Sequence, residues 1–260
     1  MTTLTLQTAF RCETGAVRSR NEDSCLVLTA NAGGHLHAEP IGLCVVADGM
    51  GGHAEGHVAS SVAARVFAGF VLAQLYQPLL DRQPVPPDET LLELLESGVL
   101  AAHDAVYHPE PEHNGGTTLT AALLLNHQAY LAHVGDTRAY LLDDRGLQQL
   151  TTDHSLVRKL QETGRLSPDQ AEQYQYRNVL LQALGQDVAL DIETIVIDLP
   201  ARGTLLLCSD GLSGTVSEGR IRTILLESAA PQQAADRLYE AAMAAGGTDN
   251  ITAIVVDFTI

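Results

Sequence analysis

Short strand-like runs recur through this chain without a helix after each one, and that order restricts the architecture more than any other feature. "SCLVLTA", "IGLCVVA", "TTLTAALLL", "AYLAHV" and "RAYLLD" precede "IETIVIDL", "GTLLLCS" and "ITAIVVDF". All are β-branched or Leu-rich and bounded by Gly, Asp or Asn. "VGDT" and "DDRGL" read as tight turns joining consecutive strands, which predicts antiparallel pairing. Ala59, Val62, Ala63, Val66, Phe67 and Phe70 keep helical spacing, as do Leu91, Leu92, Leu95, Val99, Ala102 and Val106. A further helix runs through Ala234, Ala235, Leu238 and Ala242, with Pro231 at its start and Gly246-Gly247 at its stop. The proline-punctuated stretch 76–90 reads as a connector between the first two helices. Helices that do not alternate with single strands argue against a doubly wound parallel sheet and predict an α+β sandwich.

Residues 1–260 read as a single domain, with a mobile insert at 155–190, where the sequence is polar and weakly periodic. The formal net charge of −17 sets the chain against phosphate backbones and anionic lipid, so neither nucleic acid nor membrane is an expected partner. Aromatics at 4%, with no Trp, also disfavour a base-stacking platform. Cys12, Cys25, Cys44 and Cys208 form no C-x-x-C pair and read as reduced and mostly buried, in keeping with a cytoplasmic location. No signal-peptide pattern is expected at the start, and no apolar run of about 20 residues is expected to span a bilayer.

Two of the strands end alike, in "CVVADGMGGH" (44–53) and "LLLCSDGLSG" (205–214). Aspartate is poor in strands, and a lone Asp-Gly means a turn. Here Asp48 and Asp210 close apolar strands, Asp136 sits in a turn between two more, and Asp23 and Asp249 stand at strand starts. Carboxylates gathered at one end of a sandwich repel unless cations offset them. Oxygen-only donors select Mg²⁺ or Mn²⁺ over Zn²⁺. Glycine beside the acid leaves room for metals and substrate and lets a main-chain carbonyl join the donors. "HAEGH" (53–57) is no zinc-protease helix, because position 54 is Ala.

Seven motifs occur in the order found in one family: "VRSRNEDS", "VVADGMGGH", "GGTTLTAALL", "HVGDTRAYLL", "LTTDHSLV", "LLLCSDGL" and "GTDNITAIVV". The chain resembles, from about Thr14 to Val256, the metal-dependent protein serine/threonine phosphatases of the PPM or PP2C type, in their compact bacterial form. The resemblance implies an αββα sandwich, four layers in which two antiparallel sheets are flanked by helix pairs. It implies two Mn²⁺ or Mg²⁺ ions and a weaker third. Asp48 would bridge the first two ions with the Gly49 carbonyl on one of them, Asp210 and Asp249 would hold the second, and Asp136 with Asp210 the third. Glu22 and Asp23 would hold waters on the metals, Asn250 would support Asp249, and Arg18 would grip the substrate phosphate. Arg20 is the competing arginine; a guanidinium fork suits phosphate at either position.

The implied activity is hydrolysis of phosphoserine and phosphothreonine in proteins by a metal-activated hydroxide, opposing a Ser/Thr kinase, in a chain expected to be a monomer. The alternative is a catalytically silent phosphoprotein-binding module on the same fold. Met50 stands where animal relatives carry His, so His53 either donates the leaving-group proton or packs at the start of the first helix. The 155–190 insert corresponds to a flap beside the site, and Asp153 at its start reads as a helix cap.

Overall fold

The computed structural model describes residues 4–31, 40–50, 55–107, 115–167, 170–171, 174–176, 178–186 and 189–260. Two antiparallel sheets lie face to face. One has the order β1-β11-β10-β7-β8, built from β1 (Thr5–Glu13), β11 (Ile251–Thr259), β10 (Arg202–Cys208), β7 (Arg138–Asp143) and β8 (Gly146–Gln149). The other has the order β2-β3-β5-β6-β9, from β2 (Asp23–Ala30), β3 (Ile41–Met50), β5 (Leu119–Leu125), β6 (Gln128–Val134) and β9 (Glu193–Asp198). The short β4 (Gly116–Thr117) pairs with the end of β3.

Alternation along the strands explains why so many of them are apolar at every position. Leu43, Val45 and Ala47 of β3 face the helices, whereas Cys44 and Val46 face the opposing sheet. In β10, Leu206 and Cys208 face helices, and Leu205 and Leu207 face the sheet partner. A strand buried on both faces carries no polar half, so its sequence reads as continuous. The outer layers are α1 (Gly56–Val71) with α3 (Asp88–Val106) on one side, and α6 (Glu218–Glu227) with α7 (Pro231–Ala244) on the other. This is the predicted αββα sandwich.

Three local expectations change. "VGDT" is no hairpin: it carries the chain from β6 in one sheet to β7 in the other, while "DDRGL" does close the β7–β8 hairpin, with Asp143 opposite Gly146. The first helix does not stop before the connector; α1 runs through a π-helical turn (Leu72–Tyr76) into α2 (Gln77–Leu80), and the π-helical turn lies directly before Pro78, which has no N–H to donate back into the preceding turn. The resulting Gly56–Leu80 helix, 25 residues, is long and apolar enough to cross a membrane by length and composition. Its stripe of Ala63, Phe67, Val71 and Leu75 is buried in the core beside β3 and α3, which accounts for that apolarity as packing.

β1 and β8 carry no clear periodic signal, and only their pairing places them, whereas α6 packs through the short helical spacing Ile221, Ile224 and Leu225. β1 is an edge strand paired along its length with β11, from Thr5↔Thr259 to Glu13↔Ile251. Its alternation is blurred because several positions are only half-buried. All four cysteines are free, Cys44 and Cys208 buried and the other two half-buried.

Candidate metal centre

The acids meet where strands from both sheets end. Asp23 and Asp48 are direct partners across β2 and β3, an arrangement that like charges ordinarily oppose. Asp210 opens the one-turn α5 (Asp210–Ser213) straight after β10, Asp249 precedes β11, and Asp136 lies between β6 and β7. Burial pushes the Asp48 carboxyl well above its ordinary value, reinforced by the charges of Asp23, Asp210, Asp136 and Asp249. Burial likewise lifts Asp136 to about 8 with the Asp210 charge the next-largest cause, and raises Asp210 with Asp249 next. These groups therefore share one electrostatic site.

The backbone holds each acid while leaving its carboxylate for the centre. The Asp48 amide donates to Thr118 Oγ1 (2.9 Å), and its carbonyl accepts from Thr117 Oγ1 and the Thr118 amide (2.9 Å each). No sequence reading gave Thr117 or Thr118 a role; the only sign was their presence in the motif "GGTTLTAALL". The glycines after the acids serve a purpose other than spare room. A Cβ on Gly49 would strike the carbonyls of Gly56 and Glu22, and one on Gly211 would strike the Asn250 carbonyl. Each Asp-Gly step is a place where two backbones touch, so each acid is pinned against a neighbouring strand or helix.

Asp23 is only 6% exposed and ties the two sheets together. Its Oδ2 accepts from Ser209 Oγ (2.8 Å) and Thr252 Oγ1 (2.7 Å), both on the opposing sheet's side. Its Oδ1 is buried with no hydrogen-bond partner. Burial raises this carboxyl to about 7 against the two hydroxyls, which lower it. Ser209 and Thr252 were missed in the sequence, since single hydroxyls in apolar strands carry no periodic signal.

Asn250 fastens the arch that carries the arginine. Its Nδ2 donates to the carbonyls of Thr14 (3.0 Å) and Arg20 (2.9 Å), and its Oδ1 accepts from the Glu22 amide (2.8 Å). Arg18 Nη2 donates to Asp249 Oδ2 at 2.7 Å, with half of the arginine side chain exposed. Arg20 turns instead to His57 Nδ1 on α1 (3.2 Å). Glu22 is half-buried; its carbonyl accepts from the Gly49 amide (3.1 Å) and Ser60 Oγ (2.6 Å), and its Oε1 lies close to Gly56. His53 lies outside the described residues.

Asp153 is not a cap. Ser155 caps α4 (Leu156–Glu162), accepting from the Arg158 amide (3.3 Å). Asp153 instead takes a two-pronged ion pair from Arg138, Nε to Oδ1 at 2.8 Å and Nη2 to Oδ2 at 2.6 Å. The geometry suits a planar fork better than a helix terminus, and it links the Asp136 turn to the start of the 155–190 segment. A cleft of about 860 Å³ is lined by Asp136, Asp210 and Asp249 together with Val157, Arg158 and Asn178.

The comparisons with known proteins agree with one another. Residues 17–248 match the family model described as protein phosphatase 2C. The serine/threonine phosphatase Stp of Listeria innocua is 37% identical over 251 residues, covering 95% of this chain and 94% of the relative. The crystal structure of the Mycobacterium tuberculosis serine/threonine phosphatase PstP/Ppp superposes with a TM-score of 0.80 at 34% identity, covering 97% of this chain and 98% of that one. A structure of the PstP catalytic domain in complex with two manganese ions gives the same TM-score and identity, covering 99% of this chain and 100% of that one. Sequence order, sheet topology and these likenesses lead to one conclusion: the chain belongs to the protein phosphatase 2C family.

Proposed function

We propose that this chain is a metal-dependent protein-serine/threonine phosphatase that hydrolyses phosphoserine and phosphothreonine monoesters. The observation that carries the reading is the meeting of Asp48, Asp136, Asp210 and Asp249 in one electrostatic site, with Arg18 against Asp249. Such a group fits hard divalent ions. Its donors are all oxygens, its carboxyls are driven toward the neutral form when nothing cationic fills the space, and Asp23 aims an unpartnered buried oxygen at the same end of the sandwich. Asp48, the Gly49 carbonyl, Asp210 and Asp249 would hold two Mn²⁺ or Mg²⁺ ions, and Asp136 with Asp210 a weaker third. Ions bound there supply an activated water nucleophile and offset charge on the phosphate.

The chain's own residues do the rest. Arg18 can pair two phosphate oxygens and stays charged at neutral pH, and its bond to Asp249 keeps it at the rim of the centre until substrate arrives. Asn250 positions that arginine by fixing both ends of its arch. His53 is the proposed donor of a proton to the leaving oxygen, directly or through water. Residues 155–190 act as the flap, since Val157, Arg158 and Asn178 line the same cleft as Asp136, Asp210 and Asp249. The proposed partners are phosphorylated proteins and the Ser/Thr kinase that makes them, in the cytoplasm, with the phosphatase as a monomer.

A silent binding module on this fold is not favoured, because a binder gains nothing from a buried, mutually repelling acid set. A panel of a phosphothreonine peptide, a phosphate bis-ester and single-stranded nucleic acid, each with Mn²⁺ and with chelator, tests the reading. The expected result is turnover of the peptide alone, abolished by chelator. Binding of the peptide without turnover, or cleavage of the bis-ester or nucleic acid, would overturn it.

A further inference from the structure

Among the described residues a second group of metal-ligating side chains lies away from the acids: His133, His154 and Glu193 bring ligand atoms within 4.8 Å of one another. The placement follows from the sheet. His133 near the end of β6 and Glu193 at the start of β9 are register partners, so their side chains share a face. His154 is brought over them by backbone bonds, its amide donating to the Gly135 carbonyl (2.7 Å) and its carbonyl accepting from the Leu181 amide (2.8 Å). The two imidazole rings stand 4.8 Å apart, tilted by 51°. His133 is fully buried, and the other two are half-buried.

We propose that His133, His154 and Glu193 form a binding site for a nitrogen-preferring divalent ion such as Zn²⁺ at the base of the flap, separate from the oxygen-only centre. Two imidazoles and a carboxylate with one open position are a donor set suited to Zn²⁺, whereas the acids of the other centre suit Mg²⁺ or Mn²⁺. The partners behind the ligands fit as well. His133 Nδ1 lies 2.8 Å from Thr120 Oγ1, and that hydroxyl can pass its own proton to the Thr137 carbonyl at 3.1 Å. In that tautomer Nδ1–H donates to Thr120 and Nε2 is left for the ion, giving up a 3.1 Å bond to the Thr152 carbonyl. His154 Nδ1 holds only a 3.3 Å bond from the Gly135 amide, which an ion can replace.

Glu193 is oriented by the Thr152 amide (2.8 Å) and hydroxyl (3.2 Å), which leave its remaining lone pairs for a ligand bond. Burial and the facing His154 ring hold His133 down to about 3, and burial also lowers His154, so both shifts favour the neutral imidazole, which keeps one N–H and offers its other nitrogen to an ion. Zinc–nitrogen bonds of about 2.0–2.1 Å require the three ligands to rotate inward. Because His154 precedes the 155–192 segment and Glu193 follows it, a bound ion would tie both ends of the flap to β6, three residues before Asp136.

The test uses the full chain at saturating Mg²⁺, titrated with Co²⁺ as a spectroscopic stand-in for Zn²⁺. One equivalent is expected to give the visible absorption of a four-coordinate site with nitrogen ligands, displaced by Zn²⁺. His154→Gln and Glu193→Gln, checked for folding by circular dichroism, should each abolish that band, and Thr120→Val should weaken Co²⁺ affinity by about 10–100-fold. Flap cleavage by a nonspecific protease should slow on Zn²⁺ addition in the wild type and not in His154→Gln. The proposal fails if no such band forms, or if the band survives both substitutions and disappears in Asp249→Asn, which would put the cobalt in the acid centre.

Discussion

Gly211 shows how little space separates function from folding at the level of one residue. Its missing Cβ lets the Asp210 turn rest on the Asn250 carbonyl, next to Asp249. Gly211→Ala should therefore cost about 1–3 kcal/mol of stability by overpacking, and it should weaken Mn²⁺ binding by moving Asp210 relative to Asp249. Denaturant unfolding beside a metal titration reads both effects; unchanged metal affinity would mean that the turn tolerates the methyl group without shifting the acid. The same close approach explains why the sequence showed the Asp-Gly pairs but not their reason. A glycine's neighbours come from elsewhere in the chain, Glu22 and Gly56 for Gly49, Asn250 for Gly211. Asp48, Asp210 and Asp249 were visible because a carboxylate is out of place beside an apolar strand. Ser209 and Thr252 were not, because a hydroxyl is at home there.

Arg138 and Asp153 join two elements that the chain separates, the Asp136 turn and the start of α4. The pair is partly shielded, with side chains 24% and 15% exposed, and Arg138 Nη1 also donates to Tyr140 Oη (3.1 Å). Arg138→Ala leaves Asp153 without its fork, and a lost charged hydrogen bond of this kind costs about 1.5–3 kcal/mol. The expected signature is a lowered unfolding midpoint together with faster protease cleavage within 155–190; cleavage at the wild-type rate would show that the ion pair does not anchor the flap. Elements with strong periodicity, such as α1, α3, α7 and the central strands, were legible from sequence. β1 and β8 were not, because edge strands half-exposed to solvent lose the clean alternation that marks a strand. The reach of "VGDT" from one sheet to the other was hidden as well, since a turn motif says how the chain bends and not which strand it pairs with next.

For the whole molecule, the gathered acids set the pH response. Asp23 is raised to about 7 and Asp136 to about 8, while the unfolded chain has them near 3.9. Between about pH 4 and pH 8 the metal-free folded protein thus holds more protons than the unfolded chain, and stability falls as pH rises through that window. Below pH 4 the contribution is present in full. In chelator the thermal midpoint should be lower at pH 8 than at pH 5. Adding Mn²⁺ or Mg²⁺ at about 100 times its dissociation constant should restore about 2.7 kcal/mol per site, and most of it at the higher pH, where ions no longer compete with protons. A midpoint indifferent to divalent ions at pH 8 would contradict a metal centre.

The central claim is that these acids hold ions which cleave a phosphoester, and Asp210 is the acid shared by the proposed second and third ion positions. Turnover of a phosphothreonine peptide by wild type and Asp210→Asn, measured across Mn²⁺ concentrations with folding verified, addresses it most directly. The account predicts a loss of about 10³-fold or more in the variant that excess Mn²⁺ does not recover, in line with the several kcal/mol such ions contribute. Turnover within a few-fold of wild type, or full wild-type turnover in chelator, would contradict it.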